Sequence, residues 1–169
     1  MYTRGRTDRI THIPLAIARK MGYSKQDLRI LETACRLHDI GMIGTLDSIL
    51  SKPGRLTDDE YETVKQHIQH GLKIVEPLDS LDEIKPIAFS HHERWDGKGY
   101  PDGLEGEQIP LSGRIMAVAD AYDAMISDRP YRNGMPGEKV LSILREGAGS
   151  QWDPNIVEVL PEIIEPEEG

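Results

Sequence analysis

Apolar residues recur along this chain at helical spacing. Ile10, Ile13, Ile17 and Met21, with Ala16 and Ala18 among them, mark one face of a first helix that Gly22 closes. Ser24 and Asp27 have the spacing of a capping box and open a second helix carrying Leu28, Leu31, Ala34 and Leu37. That helix ends in His38-Asp39-Ile40-Gly41. A short turn follows at 47–50, then the breaker Lys52-Pro53-Gly54. Thr57 and Glu60 form a second capping box, and the third helix is expected to run unbroken to about Glu76, before Pro77. Ser80-Leu81-Asp82-Glu83 reads as the cap of a fourth helix reaching His91-His92. Residues 94–112 form a long Gly-rich loop, of a length that in compact domains goes with function or disorder. Further helices are expected from Ser112 to about Asp128, where Arg129-Pro130-Tyr131-Arg132 breaks the pattern, and near 137–147 and 154–164. No run alternates with a period of two. The pattern predicts an all-α fold, a compact bundle of about seven helices over residues 1–160, with an acidic tail at 161–169.

Hydrophobic residues make up 38% of the chain but aromatics only 5%, so Leu, Ile, Val, Ala and Met must fill the core. A chain of 169 residues can bury one continuous core. No apolar run approaches the ~20 residues of a membrane span, and the first residues lack a signal-peptide pattern. The expected setting is the cytoplasm, with no membrane partner. The single cysteine, Cys35, lies in the apolar run Ala34-Cys35-Arg36-Leu37 and is expected to pack as a small buried side chain. The net charge is −9, and Glu158, Glu162, Glu165, Glu167 and Glu168 crowd the C-terminal end. That balance argues against binding duplex nucleic acid, which needs a basic stripe. A small anionic substrate stays compatible with it when metal ions supply local positive charge.

The histidines and aspartates stand where such ions would be held. His38-Asp39 ends the second helix, His67 and His70 are one turn apart on the third, and His91-His92 end the fourth. Asp120 and Asp123 are one turn apart on the fifth, in apolar surroundings where an unpartnered carboxylate is costly. Taken singly, each has an ordinary structural explanation, a cap or a surface histidine. His12, with no ligand type beside it, is assigned such a role, and so is His70, as an exposed or satisfied helix histidine. Together, four histidines and two aspartates suffice for two ions roughly 3.5–4 Å apart, with a carboxylate bridging them. Mixed imidazole and carboxylate ligands suit Fe, Mn, Zn or Ni; an all-oxygen set would suit Mg or Ca.

Read in order, His38-Asp39-Ile40-Gly41, Lys52-Pro53-Gly54, Val64-Lys65-Gln66-His67, His91-His92-Glu93-Arg94-Trp95-Asp96-Gly97-Lys98-Gly99-Tyr100-Pro101, Ile109-Pro110, Ala119-Asp120-Ala121-Tyr122-Asp123 and Arg129-Pro130-Tyr131-Arg132 resemble the HD-GYP family. That family is a branch of the HD-domain metal-dependent phosphohydrolases. The resemblance extends to about Asp153-Pro154. It implies an all-helical domain that hydrolyses cyclic di-GMP to pGpG or on to GMP, by a water activated between two divalent ions, Fe or Mn first and Zn or Ni as alternatives. Carried over residue by residue, it implies metal ligation by His38, Asp39, His67, His91, His92 and Asp120, with Asp39 bridging and His38 and Asp39 at the catalytic centre. Arg129 and Arg132 match residues near the substrate phosphates, where guanidinium forks suit phosphate oxygens. Arg94 and Tyr100 are further substrate contacts. The Gly99-Tyr100-Pro101 loop is implicated in docking other signalling domains, and a homodimer is among the assemblies the resemblance allows.

Three features depart from the family pattern. Met42 stands where a phosphate-directed Lys is usual, and Met supplies neither charge nor a strong donor. Tyr2 and Arg6 occupy the positions of a Glu and a His that complete a third metal site in many members. His12, six residues beyond Arg6 and so about 240° round the helix, does not replace them; a binuclear centre is expected. The regulatory domains commonly attached to the family domain are absent from the sequence. Two other readings stand beside the phosphodiesterase: a weakly active nucleotide-binding or partner-docking module, and a hydrolase for another nucleotide ester.

Overall fold

Both capping boxes read from the sequence are formed. The computed structural model describes residues 3–50, 52, 54–128 and 133–164, with residues 3–9 and Asp47 described by backbone alone. Helix α1 spans Thr3–Lys20, and Gly22 follows it with φ of +84°, a conformation that glycine adopts without steric cost. In α2 (Lys25–Leu37) the Asp27 N–H donates to Ser24 Oγ and the Ser24 N–H donates to Asp27 Oδ2, both at 3.2 Å. After a 3-10 segment at Ile40–Gly44 and the short α3 (Asp47–Leu50), Thr57 and Glu60 cap α4 (Asp58–Lys65) in the same way. Then come α5 (His67–Val75), a 3-10 turn at Asp79–Leu81, α6 (Lys85–Ala88), a 3-10 turn at Gly106–Gln108, α7 (Leu111–Ile126), α8 (Gly137–Gly147) and α9 (Pro154–Ile164). Seven of these helices have eight residues or more. Among the described residues there is no strand, and no helix is long and apolar enough to cross a membrane.

Two expected helices differ. The third is interrupted at Gln66 and becomes α4 and α5. The Val64 carbonyl there accepts from the His67 ring at 2.7 Å, and the Gln66 N–H closes a tighter turn onto Thr63. The fourth shrinks to the single turn of α6, and His91 and His92 lie in the turn beyond it. Pro86 accounts for the late start. It has no N–H to give, and it sits in the first turn of α6, where that N–H would be unpaired in any case, so the helix begins there rather than at Ser80.

Helix α1 packs on α2, α7 and α9, and α8 covers α7 and α9. Ile17, Leu31, Ile115, Val118, Leu144, Ile156 and Leu160 are fully buried at their meeting. Cys35, 2% exposed, packs with them as a small apolar side chain, and burial pushes its thiol pKa up to about 12. Helix α5 docks against the 3-10 segment at Ile40–Gly44. A Cβ on Gly41 would lie 1.8 Å from the His67 carbonyl oxygen, so only glycine lets the backbone after His38-Asp39 reach α5.

At the far end, Arg114 donates to Asp153 at 2.7 Å and to the Ile109 carbonyl at 3.0 Å, with its guanidinium 5.7 Å from the centre of the Trp95 ring. Asp153 is 1% exposed. Removing one partner of a buried pair strands the other charge. Arg114→Leu is therefore expected to cost about 3 kcal/mol in urea unfolding, and Asp153→Asn in that background to recover part of it. A loss below about 1 kcal/mol would show that the pair carries little of the fold's stability.

Candidate metal centre and cleft

Three histidines from three places in the chain share one local arrangement. His38 Nδ1 meets the Cys35 carbonyl, His67 Nδ1 the Val64 carbonyl and His91 Nδ1 the Ala88 carbonyl, each three residues back and each at 2.7 Å. A carbonyl only accepts, so each Nδ1 carries a hydrogen. Each Nε2, in the neutral ring, is left with a bare lone pair, the form in which imidazole binds a metal ion. The Nε2 atoms of His67 and His91 are buried without any hydrogen-bond partner. A buried polar atom in that state is costly unless something occupies the space it faces.

These lone pairs converge on Asp39. Its Oδ2 lies 3.3 Å from His38 Nε2 and its Oδ1 lies 3.8 Å from His67 Nε2, one oxygen toward each ring. The ring centres of His91 and His92 are 4.0 Å apart, those of His38 and His91 4.8 Å, and those of His67 and His92 5.2 Å. Two groups of donor atoms fall within 4.8 Å of one another: His67 with His91 and His92, and His38 with Asp39 and His91. His91 belongs to both. A nitrogen-rich set with one carboxylate fits a divalent first-row ion.

The electrostatics agree with that fit. Burial, and then repulsion from His38, pushes His91 down to about 3; burial, and then His91, does the same to His92. Both rings are neutral donors at ordinary pH. Burial opposes charge on His38 as well, but the hydrogen bond and charge of Asp39 more than offset it and raise its pKa. Burial likewise works against the Asp39 carboxylate, and the surrounding imidazoles, His38 foremost, hold it well below the usual range.

Beside the centre opens a cleft of about 580 Å³, floored by His91, His92 and Asp120 and walled by Tyr61, Lys65, Arg94 and Tyr100. The Tyr100 ring stacks on His92 at 4.8 Å and 21°. Its loop is fixed from within. Glu93, 3% exposed, accepts the Asp102 N–H at 2.7 Å and the Leu104 N–H at 3.0 Å, one on each carboxylate oxygen. A Cβ on Gly99 would fall 2.3 Å from the Arg94 nitrogen, so the loop folds back on its own start only with glycine there. The Trp95 and Asp96 N–H groups donate to Gln151 and Ser150, which anchors the loop to the turn before α9.

Of the residues expected at the site, His38, Asp39, His67, His91 and His92 are gathered in the centre. Asp120 lines both the cleft, with His91 and His92, and a small crevice that it shares with His38, Ile10 and Pro14. Arg94 and Tyr100 line the cleft, although Arg94 is already held by Asp96 through two bonds of 2.9 and 2.7 Å. Arg129, Arg132 and Tyr2 lie outside the described residues. Met42 is partly buried, with its sulfur 4.0 Å from Thr45 Oγ1. His12 is exposed, in keeping with a structural role. His70 departs from its expectation: it is half-buried, its Nδ1 has no hydrogen-bond partner, and the ring abuts Gly44. Sequence reasoning passed over Glu93, Tyr61, Lys65 and Gln151. Only Glu93 carried a signal, an acid set beside a glycine-rich loop full of unpaired N–H groups.

Histidines clustered around an aspartate in a helical domain form a donor set suited to a divalent ion. A family model for the HD domain matches residues 2–156, and the chain belongs to that family. It is 44% identical over 160 residues to a cyclic di-GMP phosphodiesterase of Thermotoga maritima, covering 94% of this chain and 44% of that protein. Two solved structures share the fold. One is a cyclic GMP-AMP-specific phosphodiesterase of Vibrio cholerae, with a TM-score of 0.73 at 21% identity over 95% of this chain and 44% of that one. The other is an HDG"Y"P protein of Bdellovibrio bacteriovorus, with a TM-score of 0.75 at 19% identity over 94% of this chain and 51% of that one. The resemblance to the HD-GYP branch is borne out. The chain spans less than half the length of the curated relatives it matches.

Because His91 belongs to both donor groups, His91→Ala is expected to lower bound divalent metal further than either His38→Ala or His67→Ala. Metal analysis of the three purified variants, loaded identically, tests this. Equal retention across them would contradict the shared role.

Proposed function

We propose that residues 1–160 form the catalytic unit of a metal-dependent phosphodiesterase that opens a cyclic dinucleotide, cyclic di-GMP before others, to pGpG or on to GMP. The observation that carries this reading is the set of three locked imidazoles, His38, His67 and His91, gathered around Asp39, with His91 also lining the adjoining cleft. His38, Asp39, His67, His91, His92 and Asp120 would hold two divalent ions, Fe or Mn in the first place and Zn or Ni as substitutes. When bound, such ions supply Lewis-acid charge for the phosphoryl oxygens and acidify water.

The chain's own residues do the rest. Neutral His91 and His92 add no charge that a cation would have to displace, and Asp39 contributes the anionic ligand between the two donor groups. Tyr100, stacked on His92, closes one side of the cleft and limits access of bulk water. Its burial, with Tyr61 adding to it, raises the phenol pKa, so Tyr100 meets an anionic ligand as a neutral hydrogen-bond donor. Arg129 and Arg132 are assigned to the substrate phosphates, and Arg94 to the cleft wall. Water adds across one P–O bond: its oxygen joins phosphorus and its proton goes to the departing ribose oxygen, giving the linear dinucleotide. We assign the protein to the cytoplasm and the Gly99-Tyr100-Pro101 loop to contacts with other signalling domains.

Mn- or Fe-loaded protein incubated with cyclic di-GMP is expected to give pGpG, with chelation abolishing turnover and Asp39→Ala or His92→Ala lowering kcat/KM by about 10²–10³-fold. Product analysis by chromatography decides it. Binding without product would replace this reading with a nucleotide-binding module, a reading that Met42 favours by leaving position 42 without a cation. Under the hydrolase reading, Met42→Lys raises the rate. Preferential cleavage of cyclic GMP-AMP would change the substrate and keep the chemistry.

A further inference from the structure

Three described cations line the cleft: Lys65, Arg94 and Lys98. Arg94 is clamped in a two-bond fork by Asp96, and Lys98 stands exposed on the rim. Lys65 is placed differently. It ends α4, two positions before His67, and its ammonium lies 5.0 Å from the Tyr61 ring centre and 5.3 Å from that of Tyr100. The Tyr100 ring is itself stacked on His92 at 4.8 Å. Those two steps put the ammonium within about 10 Å of the His92 imidazole. Its ion pair is with Glu62, at 2.6 Å and one turn back on the same helix. The Glu62 side chain is 66% exposed, and an exposed pair of that kind is weak and readily exchanged for another anion.

We infer that Lys65 is a substrate-binding residue that holds the phosphate not being cleaved, its ammonium turning from Glu62 to that group when a cyclic dinucleotide enters the cleft. The inference deepens the proposed hydrolase reading and rests on it. A cyclic dinucleotide carries two phosphodiesters on one ring. With one at the His/Asp centre, the other is held a short way off, in the body of the cleft. Lys65 makes no hydrogen bond to the side chains of the centre among the described residues, yet it shares the Tyr100 ring with His92. That places it one residue away from the reacting phosphate and within reach of its companion. The two tyrosine faces keep the cation inside the cleft. A flexible ammonium with three donors adapts to a phosphate without a fixed fork.

The test compares two substrates in the metal-loaded protein: cyclic di-GMP, with two phosphates, and bis(p-nitrophenyl) phosphate, with one. Lys65→Ala is expected to raise KM for cyclic di-GMP about tenfold to a hundredfold, with kcat changed little, and to leave bis(p-nitrophenyl) phosphate hydrolysis within about twofold. Lys65→Arg is expected to recover most of the affinity. Metal content should match the wild type. Equal losses on both substrates would overturn the inference and make Lys65 a support for His67; so would an unchanged KM for cyclic di-GMP. If the wild type opens no dinucleotide, the proposed activity fails by itself, and equilibrium binding of cyclic di-GMP then decides Lys65. Weaker binding to Lys65→Ala upholds the contact, whereas equal binding, or none to either protein, removes it.

Discussion

The arrangement at the centre depends on one repeated hydrogen bond, from an imidazole Nδ1 to the carbonyl three residues before it. It occurs at His38, His67 and His91, on three separate elements, at the same 2.7 Å. Each bond fixes the tautomer and the ring orientation together, so three lone pairs are aimed before any ligand arrives. The cost is visible in the fold. The Val64 carbonyl serves the His67 ring where α4 breaks from α5, and two buried Nε2 atoms are left without a partner. Unpaired nitrogens facing a carboxylate are an unfavourable way to fill a core and a favourable way to hold a cation.

Close backbone approaches make that convergence possible. Without a side chain at Gly41, the segment carrying Asp39 comes up against the His67 carbonyl. Gly71 lets the Phe89 ring lie on α5, its nearest atom 2.5 Å from where a Cβ would be, two residues ahead of His91. The loop after the histidines follows the same logic with polar means. Glu93 satisfies two loop N–H groups, and Gly99 allows the loop to close over its own beginning. Tyr100 is thereby delivered onto His92. The centre and its cover are one continuous piece of chain.

Much of this was legible beforehand, because helices announce themselves through spacing and caps. Ser24 with Asp27 and Thr57 with Glu60 mark their helix starts, and 137–147 and 154–164 stand where the apolar period puts them. The misreadings arose where tertiary demands override a local signal. Thr57 to Glu76 has an uninterrupted helical pattern, and nothing in it shows that the His67 ring will take the Val64 carbonyl. Pro86 was there to be read and outweighs the polar start at Ser80. At the site, the histidines and Asp39 were legible as residue types in motifs. Tyr61 and Lys65 were not, since their work depends on which rings fold back toward them.

The charge of the molecule gives these details their weight. A chain carrying −9 repels a dianionic ligand at long range, and among its described residues the cleft holds three cations, Lys65, Arg94 and Lys98, to reverse that locally. Arg94 is neutralised by Asp96, and Asp120 adds a further negative group to the floor. Beside Arg129 and Arg132, which the proposed function assigns to the phosphates, attraction then comes from whatever cations the imidazole lone pairs collect and, among the described residues, from a side chain free to change partners. Lys65, weakly paired and set over Tyr100, meets the second requirement, whereas the firmly forked Arg94 does not. Under the proposed reading, recognition in this cleft is coupled to metal occupancy: with Arg94 held by Asp96 and Asp120 on the floor, Lys65 and Lys98 are the described cations that a phosphate would meet beside the centre.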